Sequence, residues 1–411
     1  MAVPRTGGPG KAGAEIKDGE LRIVYGIHGF GRGHAMRSMS VLPHLVANHD
    51  VLILAGGDAY RALWPDYTVV RIPYLAYHYN RRGKFSNYLN IKRNASMVLD
   101  TFLGGPTFQM VEDVVCEFEP DVILTDSEAY THRVAAKLCI PRITFDHFGV
   151  LVYCRPAMSS FDRIICKGNA FVYRTLFGEP DRAVVSSFFD APVTRAGVKV
   201  VGPAIRKEVR EMEPRRGQHL LAYINKGEHE FTPQMEAALM ELDCPVRVYG
   251  TPRRGLQKNL QFKPIANLPF IEDVATSRAV FCTTGNQLLG EVTYFGKPVL
   301  GMPMDCLEQR LNAMQIEVRG VGMQVRRGKV TADVLREFLS REDEFAANAQ
   351  KYKAHDGERE ALEAIETFAT ELAQSRGDRR PADEHAHSAH QAIDAPDAKD
   401  RNGDQRAKSG S

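Results

Sequence analysis

The feature that most constrains the fold is a regular alternation of short apolar runs with longer stretches of helical periodicity. The run LRIVYGI (21–27) is followed by the amphipathic stretch 34–48 and then by the apolar run DVLILAGG (50–57). Short apolar runs that alternate with helices predict a parallel sheet covered by helices on both faces. The same pattern predicts strands at 68–73, 121–127, 141–147 and 161–167, and helices at 108–120 and 128–140.

A second alternating series follows a segment that is rich in proline, glycine and charge. Residues 190–218 contain three prolines and three glycines, which is typical of a connection between domains. Beyond it, the pattern predicts strands at 219–225, 244–250, 278–284 and 297–303, and helices at 232–242, 286–295, 307–318, 331–341 and 342–372. The sequence therefore predicts an α/β protein with two parallel-sheet domains.

The two ends of the chain have the composition of disordered segments. Both are polar and contain almost no large apolar residue, so they bury too little surface to offset the entropy of ordering. We expect a disordered leader at 1–19, a first domain at 20–203, a linker at 204–217, a second domain at 218–345, a C-terminal helix at 346–372 and a disordered tail at 373–411.

Composition excludes some classes of protein. No apolar run approaches the roughly 18 residues that a membrane-spanning helix needs, and the first twenty residues lack the apolar core of a signal peptide. The seven cysteines include no C-x-x-C pair, which favours free thiols in a reducing compartment. We therefore expect a cytoplasmic protein.

A glycine-rich loop, GFGRGHAMR, connects the first predicted strand to the first helix. Its Gly31 and Gly33 allow a tight turn at the carboxyl edge of the sheet, where α/β proteins bind ligands. A dinucleotide fingerprint would need glycine at position 34, but His34 stands there, although Asp58 follows the next strand at a suitable distance. Both His34 and Arg37 are candidates for a site, and a structural role at the helix start is the alternative for His34.

A carboxylate ends the strand PDVILTD at the same predicted sheet edge. Asp126 is in a position to hydrogen-bond His34, fix its tautomer and raise its basicity. The alternative is that Asp126 caps the helix predicted at 128–140. The pair Asp146-His147 ends another strand and is a similar candidate.

The segment 270–313 contains the most informative motif. Within it, Thr283, Thr284, Gly285 and Asn286 end a strand and open a helix, whose free N–H groups and dipole suit a diphosphate. Glu291 follows about one and a half turns into that helix. A glycine-opened helix alone is as often a matter of packing, but the complete series is more specific.

Residues 283–313 resemble the donor-site signature of GT-B glycosyltransferases of families 1 and 28. These include nucleotide-sugar glucuronosyl- and glucosyltransferases and the GlcNAc transferase that makes the lipid-linked peptidoglycan precursor. In that signature a glycine opens the helix, a glutamate six residues later binds ribose, and an acid–glutamine pair contacts the donor sugar. The matching residues are Gly285, Glu291, Gly296, Pro298, Pro303, Glu308, Gln309, Asn312 and Ala313.

The sequence departs from that signature in two places. The acid–glutamine pair lies one residue later than in the plant glucosyltransferases, and Thr283 replaces the histidine that those enzymes place on the diphosphate. The upstream FIEDV is similar to the uracil-binding turn of the peptidoglycan enzyme, which implies that Phe270 and Ile271 flank the base. Gly33-His34 is similar to the Gly-His of the superfamily, whose histidine is the acceptor-activating base, and Asp126 matches its orienting acid.

The resemblance implies a GT-B fold, with two Rossmann-like domains facing across a cleft, the first for the acceptor and the second for the nucleotide sugar. It implies inverting transfer of a hexose or N-acetylhexosamine, from a donor expected to be UDP-linked, to a hydroxyl acceptor for which a lipid or glycolipid is a candidate. No metal or cofactor is expected. The implied donor-binding residues are Phe270, Ile271, Thr283, Thr284, Gly285, Asn286, Gln287, Glu291, Glu308 and Gln309.

Basic and aromatic residues are interleaved in the segment 78–105. This composition is compatible with peripheral contact to an anionic membrane surface, with an ordinary solvated helix face, or with nucleic acid. The formal net charge of +2 is close to balance, so no nucleic-acid partner is expected.

Three alternatives to transfer remain open at this point. A nucleotide-sugar 2-epimerase would share the fold but need extra carboxylates and no acceptor. A non-catalytic GT-B-like protein would bind the nucleotide sugar without turnover. A nicotinamide oxidoreductase would bind its cofactor independently of Glu291.

Overall fold

The computed structural model describes residues 19–78, 86–352 and 355–377. Its first sheet has seven parallel strands in the order β3-β2-β1-β4-β5-β6-β7. These strands are β1 (Arg22–Ile27), β2 (Asp50–Ala55), β3 (Val69–Arg71), β4 (Val122–Asp126), β5 (Arg142–Asp146), β6 (Arg182–Ser186) and β7 (Val198–Val201).

The second sheet also has seven strands, in the order β10-β11-β9-β8-β12-β13-β14. All neighbouring strands are parallel except β10 and β11, which pair antiparallel at the edge. The strands are β8 (Leu220–Tyr223), β9 (Val246–Tyr249), β10 (Gly255–Gln257), β11 (Leu260–Phe262), β12 (Ala279–Cys282), β13 (Val299–Gly301) and β14 (Gly322–Gln324). The predicted pair of Rossmann-like sheets is confirmed, and we call the halves the N lobe and the C lobe.

Helices cover both faces of each sheet, as the buried strands require. The central strand β1 is buried along nearly its whole length, since neither of its faces is open to water. The helices are α1 (Arg32–Asn48), α2 (Gly57–Leu63), α3 (Asn87–Leu103), α4 (Pro106–Phe118), α5 (Ala129–Lys137), α6 (Gly149–Val152), α7 (Ser160–Phe177), α8 (Lys207–Arg210), α9 (Gly227–Glu230), α10 (Pro233–Met240), α11 (Asn267–Ala275), α12 (Asn286–Tyr294), α13 (Leu307–Val318), α14 (Ala332–Ser340), α15 (Glu342–Lys351) and α16 (Glu358–Gly377).

The strand predicted at 161–167 is wrong, because these residues belong to helix α7. Ser159 caps this helix by accepting a hydrogen bond from the backbone N–H of Asp162. The buried positions of α7 are Cys166, Ala170, Tyr173 and Phe177, whose spacing of three to four residues is helical. The apolar run FDRIICK is too short to show this period, which becomes visible only over the full length of the helix.

The C-terminal part of the chain returns to the N lobe. Helix α16 buries Ala361, Ala364, Ile365 and Ala369 in the core of the first sheet. This helix continues to Gly377, so residues 373–377 are helical and not part of the predicted tail. The predicted leader at 1–18 and the rest of the tail, 378–411, lie outside the described residues.

The chain crosses between the lobes twice, and the two crossings are bonded to each other. The backbone N–H of Gly357 donates to the carbonyl of Pro203, and the N–H of Ile205 donates to the Asp356 carboxylate. Arg210 pairs with the same carboxylate at 3.0 Å.

Among the described residues, no helix combines the length and apolarity needed to cross a bilayer.

Candidate active site

A cavity of about 1030 Å³ lies where the carboxyl ends of the two sheets face each other. The N lobe contributes His28 after β1, Ser127 after β4 and His147 after β5 to its wall, and the C lobe contributes Tyr223 from β8 and Thr283 after β12. Ligands of open parallel sheets bind at this edge, so the cavity between the lobes is the candidate active site.

The glycine-rich loop forms one corner of this cavity. Gly31 is the N-cap of α1 and has a φ of 82°, a conformation that favours glycine. Its backbone N–H donates to Asp58 Oδ2 at 3.0 Å. Asp58 therefore stabilises the loop, and its carboxylate is not available to bind a ribose, as a dinucleotide site would require.

His34, Asp126 and Arg37 form a compact polar cluster beside this loop. His34 Nδ1 lies 2.8 Å from Asp126 Oδ1, within hydrogen-bonding distance as predicted. Arg37 binds the same carboxylate through Nε at 3.1 Å and through Nη2 at 2.6 Å, and Nη2 is also 3.1 Å from His34 Nδ1. Since Nδ1 is engaged, Nε2 of His34 is the nitrogen left for a ligand.

Asp126 pairs with His34 and Arg37 and does not cap the following helix. Burial by itself would raise the pKa of the Asp126 carboxyl, but the charges of Arg37 and His34 hold this pKa below its usual value. The alternative role as a helix cap is wrong, because Glu128 accepts the hydrogen bonds from the backbone N–H groups of Tyr130 and Thr131 at the start of α5.

A second histidine, His28, lies next to His34. The two rings meet edge to face, with centroids 4.8 Å apart. Burial, assisted by the neighbouring His34, lowers the pKa of His28 to about 3, so this imidazole is neutral at neutral pH. His28 was not among the residues predicted for the site, although its place directly after the apolar run of β1 was a signal for it.

The start of helix α12 forms the opposite wall. Gly285 is its N-cap and provides no side-chain capping bond, and Gly285, Asn286 and Gln287 all line the cavity. A β-carbon on Gly33 would lie 3.9 Å from Gln287 Cβ. The N-terminal ends of α1 and α12 therefore meet across the cleft, and both dipoles favour an anion there.

Of the predicted donor residues next to Gly285, Thr283 and Asn286 line the cavity and Thr284 does not. Thr283 lines the cavity, and its hydroxyl accepts the backbone N–H of Asn225 at 3.2 Å. Thr284 is buried behind the wall, where its hydroxyl donates to the carbonyl of Gln309 at 2.8 Å. Asn286 bridges the lobes, since its side chain binds the carbonyl of Ser186 at 3.2 Å.

Glu291 faces the cavity but is already paired. Arg206, from the linker, binds its carboxylate through Nε at 2.9 Å and Nη2 at 3.0 Å, and both side chains are almost completely buried. Gln287 Nε2 donates to the same carboxylate at 3.2 Å, while Gln287 Oε1 is buried without a partner among the described residues. An unsatisfied buried acceptor at a cavity wall suits a ligand hydroxyl.

Of the remaining predicted donor residues, Ile271 is the one that does not reach the cavity. FIEDV lies within helix α11, where Phe270 lines the cavity and packs 5.5 Å from the ring of Tyr223. Ile271 points into the hydrophobic core. Glu308 and Gln309, at the start of α13, both line the cavity.

His147 was only a minor candidate from sequence, but it connects the lobes at the floor of the cavity. Its Nδ1 donates to the carbonyl of Ser186 at 2.8 Å, and Nε2 lies 3.1 Å from Asn312 Oδ1 of the C lobe. Burial lowers the pKa of this imidazole, although the nearby Glu308 carboxylate opposes that shift.

The part of the cavity inside the N lobe is apolar. Its walls come from the loop before α3, from α3 itself, from α6 and from α7, and the rings of Phe148 and Tyr173 stack with their centroids 5.2 Å apart. The apolar residues that line it include Leu75, Ile91, Ala95, Val98, Leu99, Leu151, Ile165, Val172 and Leu176. The cavity thus joins an apolar chamber to a polar region at the two helix starts.

Comparison with solved structures gives glycosyltransferases of the GT-B class. The glycosyltransferase of kitacinnamycin has a TM-score of 0.61 and 16% identity, over 85% of this chain and 99% of that chain. A UDP-glucosyltransferase from Polygonum tinctorium capable of glucosylating indoxyl has a TM-score of 0.60 and 12% identity, over 85% and 99%. The glycosyltransferase VinC, in complex with dTDP, has a TM-score of 0.56 and 15% identity, over 86% and 100%.

These likenesses confirm the predicted GT-B fold. A comparison of the sequence with curated proteins gives no significant match. The model of a family described as glycosyl transferase family 1 matches residues 21–342, which is most of the chain. The chain therefore belongs to glycosyl transferase family 1.

Proposed function

We propose that this glycosyltransferase moves a hexose or N-acetylhexosamine from a nucleotide sugar, preferably UDP-linked, to a hydroxyl group of an apolar acceptor, with inversion at the anomeric carbon. The observation that carries the proposal is that an anion site, a histidine–aspartate pair and an apolar chamber open into one cavity. Such an arrangement supplies each of the groups that sugar transfer needs.

The donor diphosphate binds at the start of α12 in this proposal. The amide groups after Gly285 and the dipole of the helix stabilise its charge, and Thr283 adds a hydroxyl. Glu291 and the unpartnered Gln287 Oε1 accept hydrogen bonds from the ribose hydroxyls. Phe270 packs against the base.

Glu308 and Gln309 bind the hydroxyls of the transferred sugar. Both lie at the start of α13 and line the cavity next to the α12 segment, which supports this role. The neighbours named above include one UDP-glucosyltransferase and one complex with dTDP, so both UDP- and dTDP-sugars belong in the test.

His34 is the proposed general base. Its Nε2 accepts the proton of the acceptor hydroxyl as the acceptor oxygen bonds to the anomeric carbon and the bond from that carbon to the diphosphate oxygen breaks. The nucleoside diphosphate leaves with the electron pair of that bond. Asp126 stabilises the imidazolium, and Arg37 fixes the carboxylate in place.

The test is transfer from a panel of UDP- and dTDP-hexoses to phenols and to long-chain alkyl glycosides, followed by mass spectrometry. We expect a new glycoside whose anomeric configuration is opposite to that of the donor. Incubation with donor alone separates transfer from epimerisation, which needs no acceptor. Failure to bind or use any donor in the panel would contradict the proposed function.

The outer surfaces of α3 and α7, which flank the mouth of the apolar chamber, support a membrane-bound acceptor. On α3, Tyr88, Ile91, Leu99 and Leu103 are exposed, and on α7 Phe161, Ile164, Phe171 and Val172 are exposed. Three of these residues, Ile91, Leu99 and Val172, also line the chamber and therefore lie at its rim. The basic residues Lys92, Arg93, Arg163 and Lys167 are exposed on the same two helices. We propose that this face, which we call the α3–α7 face, contacts an anionic membrane; residues 79–85 of the segment predicted for this role lie outside the described residues.

Vesicle binding tests the α3–α7 face. We expect wild-type protein to co-sediment with vesicles that contain phosphatidylglycerol, and the double variant Ile91→Asp/Ile164→Asp to bind at least roughly tenfold more weakly, because each isoleucine loses its apolar contact with the bilayer. Both side chains are more than 70% exposed, so the fold should tolerate the changes.

Leu256→Asp is the matched control for this experiment. Leu256 is equally exposed, at 75%, but lies on β10 at the far edge of the C-lobe sheet. We expect this variant to bind vesicles as the wild type does. Equal binding by the double variant, or no binding by the wild type, would contradict membrane contact through this face.

A further inference from the structure

Of the residues that the structure describes, four arginines line the cavity, and three of them have anionic partners. Arg37 binds Asp126, Arg206 binds Glu291, and Arg310 lies 3.1 Å from Asp162. The fourth, Arg32, has no ion pair or side-chain hydrogen bond with any part of the chain that the structure describes. An arginine without a counter-charge at a cavity wall is available to bind an anionic ligand.

Arg32 lies where the two lobes meet. It is the first residue of α1, between Gly31 and Gly33, and Gly33 faces Gln287 in the first turn of α12. Burial raises the pKa of the Tyr223 hydroxyl to about 12, and the positive charge of Arg32 opposes this rise. Arg32 and Tyr223, which lies at the end of β8 in the C lobe, both line the cavity, so a ligand bound there can contact the guanidinium.

Among the described residues that line the C-lobe side of the anion site, no positively charged side chain is free of an anionic partner. Thr283 is uncharged, and the start of α12 provides only about half a unit of positive charge. Glu308, which is also on this wall, adds a negative charge. A diphosphate carries at least two negative charges, and a bidentate guanidinium is the side chain best suited to balance them.

We propose that Arg32 binds the diphosphate of the donor from the N lobe, opposite α12, and stabilises the nucleoside diphosphate as it leaves. This inference rests on the proposed function and adds an N-lobe residue to the proposed donor site. Because Arg32 and α12 belong to different lobes, a diphosphate held between them also draws the cleft closed.

Calorimetric titration of UDP and dTDP into wild type, Arg32→Ala and Arg32→Lys tests this role. With whichever diphosphate binds more tightly, we expect Arg32→Ala to weaken binding by roughly 10- to 100-fold, the usual effect of losing a hydrogen-bonded charge contact. Arg32→Lys should retain part of the affinity, because it keeps the charge but loses the forked geometry. Binding of the corresponding nucleoside, measured by NMR titration, should change less than about twofold, since it has no phosphate.

Arg326→Ala is the control, because Arg326 is exposed, does not line the cavity and lies beyond β14. Thermal melting of each variant checks the fold. If Arg32→Ala binds the diphosphate within twofold of wild type, or loses nucleoside binding equally, the assignment of Arg32 is wrong while the proposed function stands. If wild type binds neither diphosphate, the proposed function is wrong, and this inference with it.

Discussion

Replacement of His34 by alanine is expected to lower the rate constant of sugar transfer by roughly 100- to 10,000-fold, the usual contribution of a positioned general base. The acceptor hydroxyl then has no nearby group to accept its proton as the glycosidic bond forms. Donor affinity should remain close to that of wild type, because the proposed donor contacts lie on the C lobe and on Arg32. The measurement is kcat with saturating donor, together with calorimetry of the nucleoside diphosphate.

His44→Ala is the matched control, since His44 lies on the same helix, is half exposed and does not line the cavity. We expect it to retain the wild-type rate. Added imidazole should restore part of the activity of His34→Ala, because the cavity left by the side chain opens toward the active site. Full transfer activity in His34→Ala would show that another group activates the acceptor.

Replacement of Glu291 by alanine is expected to destabilise the protein by about 3–5 kcal/mol, because it leaves the Arg206 guanidinium buried without its partner. Loss of donor binding by this variant would therefore not separate a role in ribose recognition from unfolding. Urea unfolding of variant and wild type, followed by circular dichroism, measures the loss of stability. Glu363→Ala, on the exposed side of α16, should change the unfolding curve little.

A paired variant separates the two roles of Glu291. Glu291→Leu combined with Arg206→Met removes both charges and keeps similar volumes, so most of the lost stability should return. If Glu291 binds the ribose hydroxyls, this stable variant should still bind nucleoside diphosphate much more weakly than wild type. Wild-type affinity in the paired variant would mean that the ion pair is structural.

The sequence was sufficient to predict those elements whose pattern of apolar and polar residues lies within one short stretch of the chain. Strands such as β1 and β4 are short apolar runs bounded by polar residues, and the structure places them within one residue of the predicted bounds. The motif around Gly285 and Glu291 was also local, because a helix start and a carboxylate on its second turn lie within seven residues. Helix α7 was missed because the seven residues that suggested a strand are too few to show the helical spacing of three to four residues.

The environment of these residues could not be predicted, because it depends on contacts far apart in sequence. Arg206 reaches Glu291 across 85 residues, and Arg37 reaches Asp126 across 89. Residues so far apart produce no periodic pattern that would link them. The sequence therefore shows the ionisable residue but not which charged residue pairs with it. Ile271 illustrates the same limit, since its motif was recognised but the rotation of α11 turns the side chain into the core.

The return of α16 to the N lobe has a mechanical consequence. Because the chain passes between the lobes twice, the C lobe cannot swivel freely as it would on a single tether. The hydrogen bond between Gly357 and Pro203 and the salt bridge between Arg210 and Asp356 hold the two connecting segments side by side. We therefore expect the two segments to act together as one hinge. As a result, the main relative motion of the lobes is expected to be opening and closing of the cleft between them, without rotation of one lobe about the other.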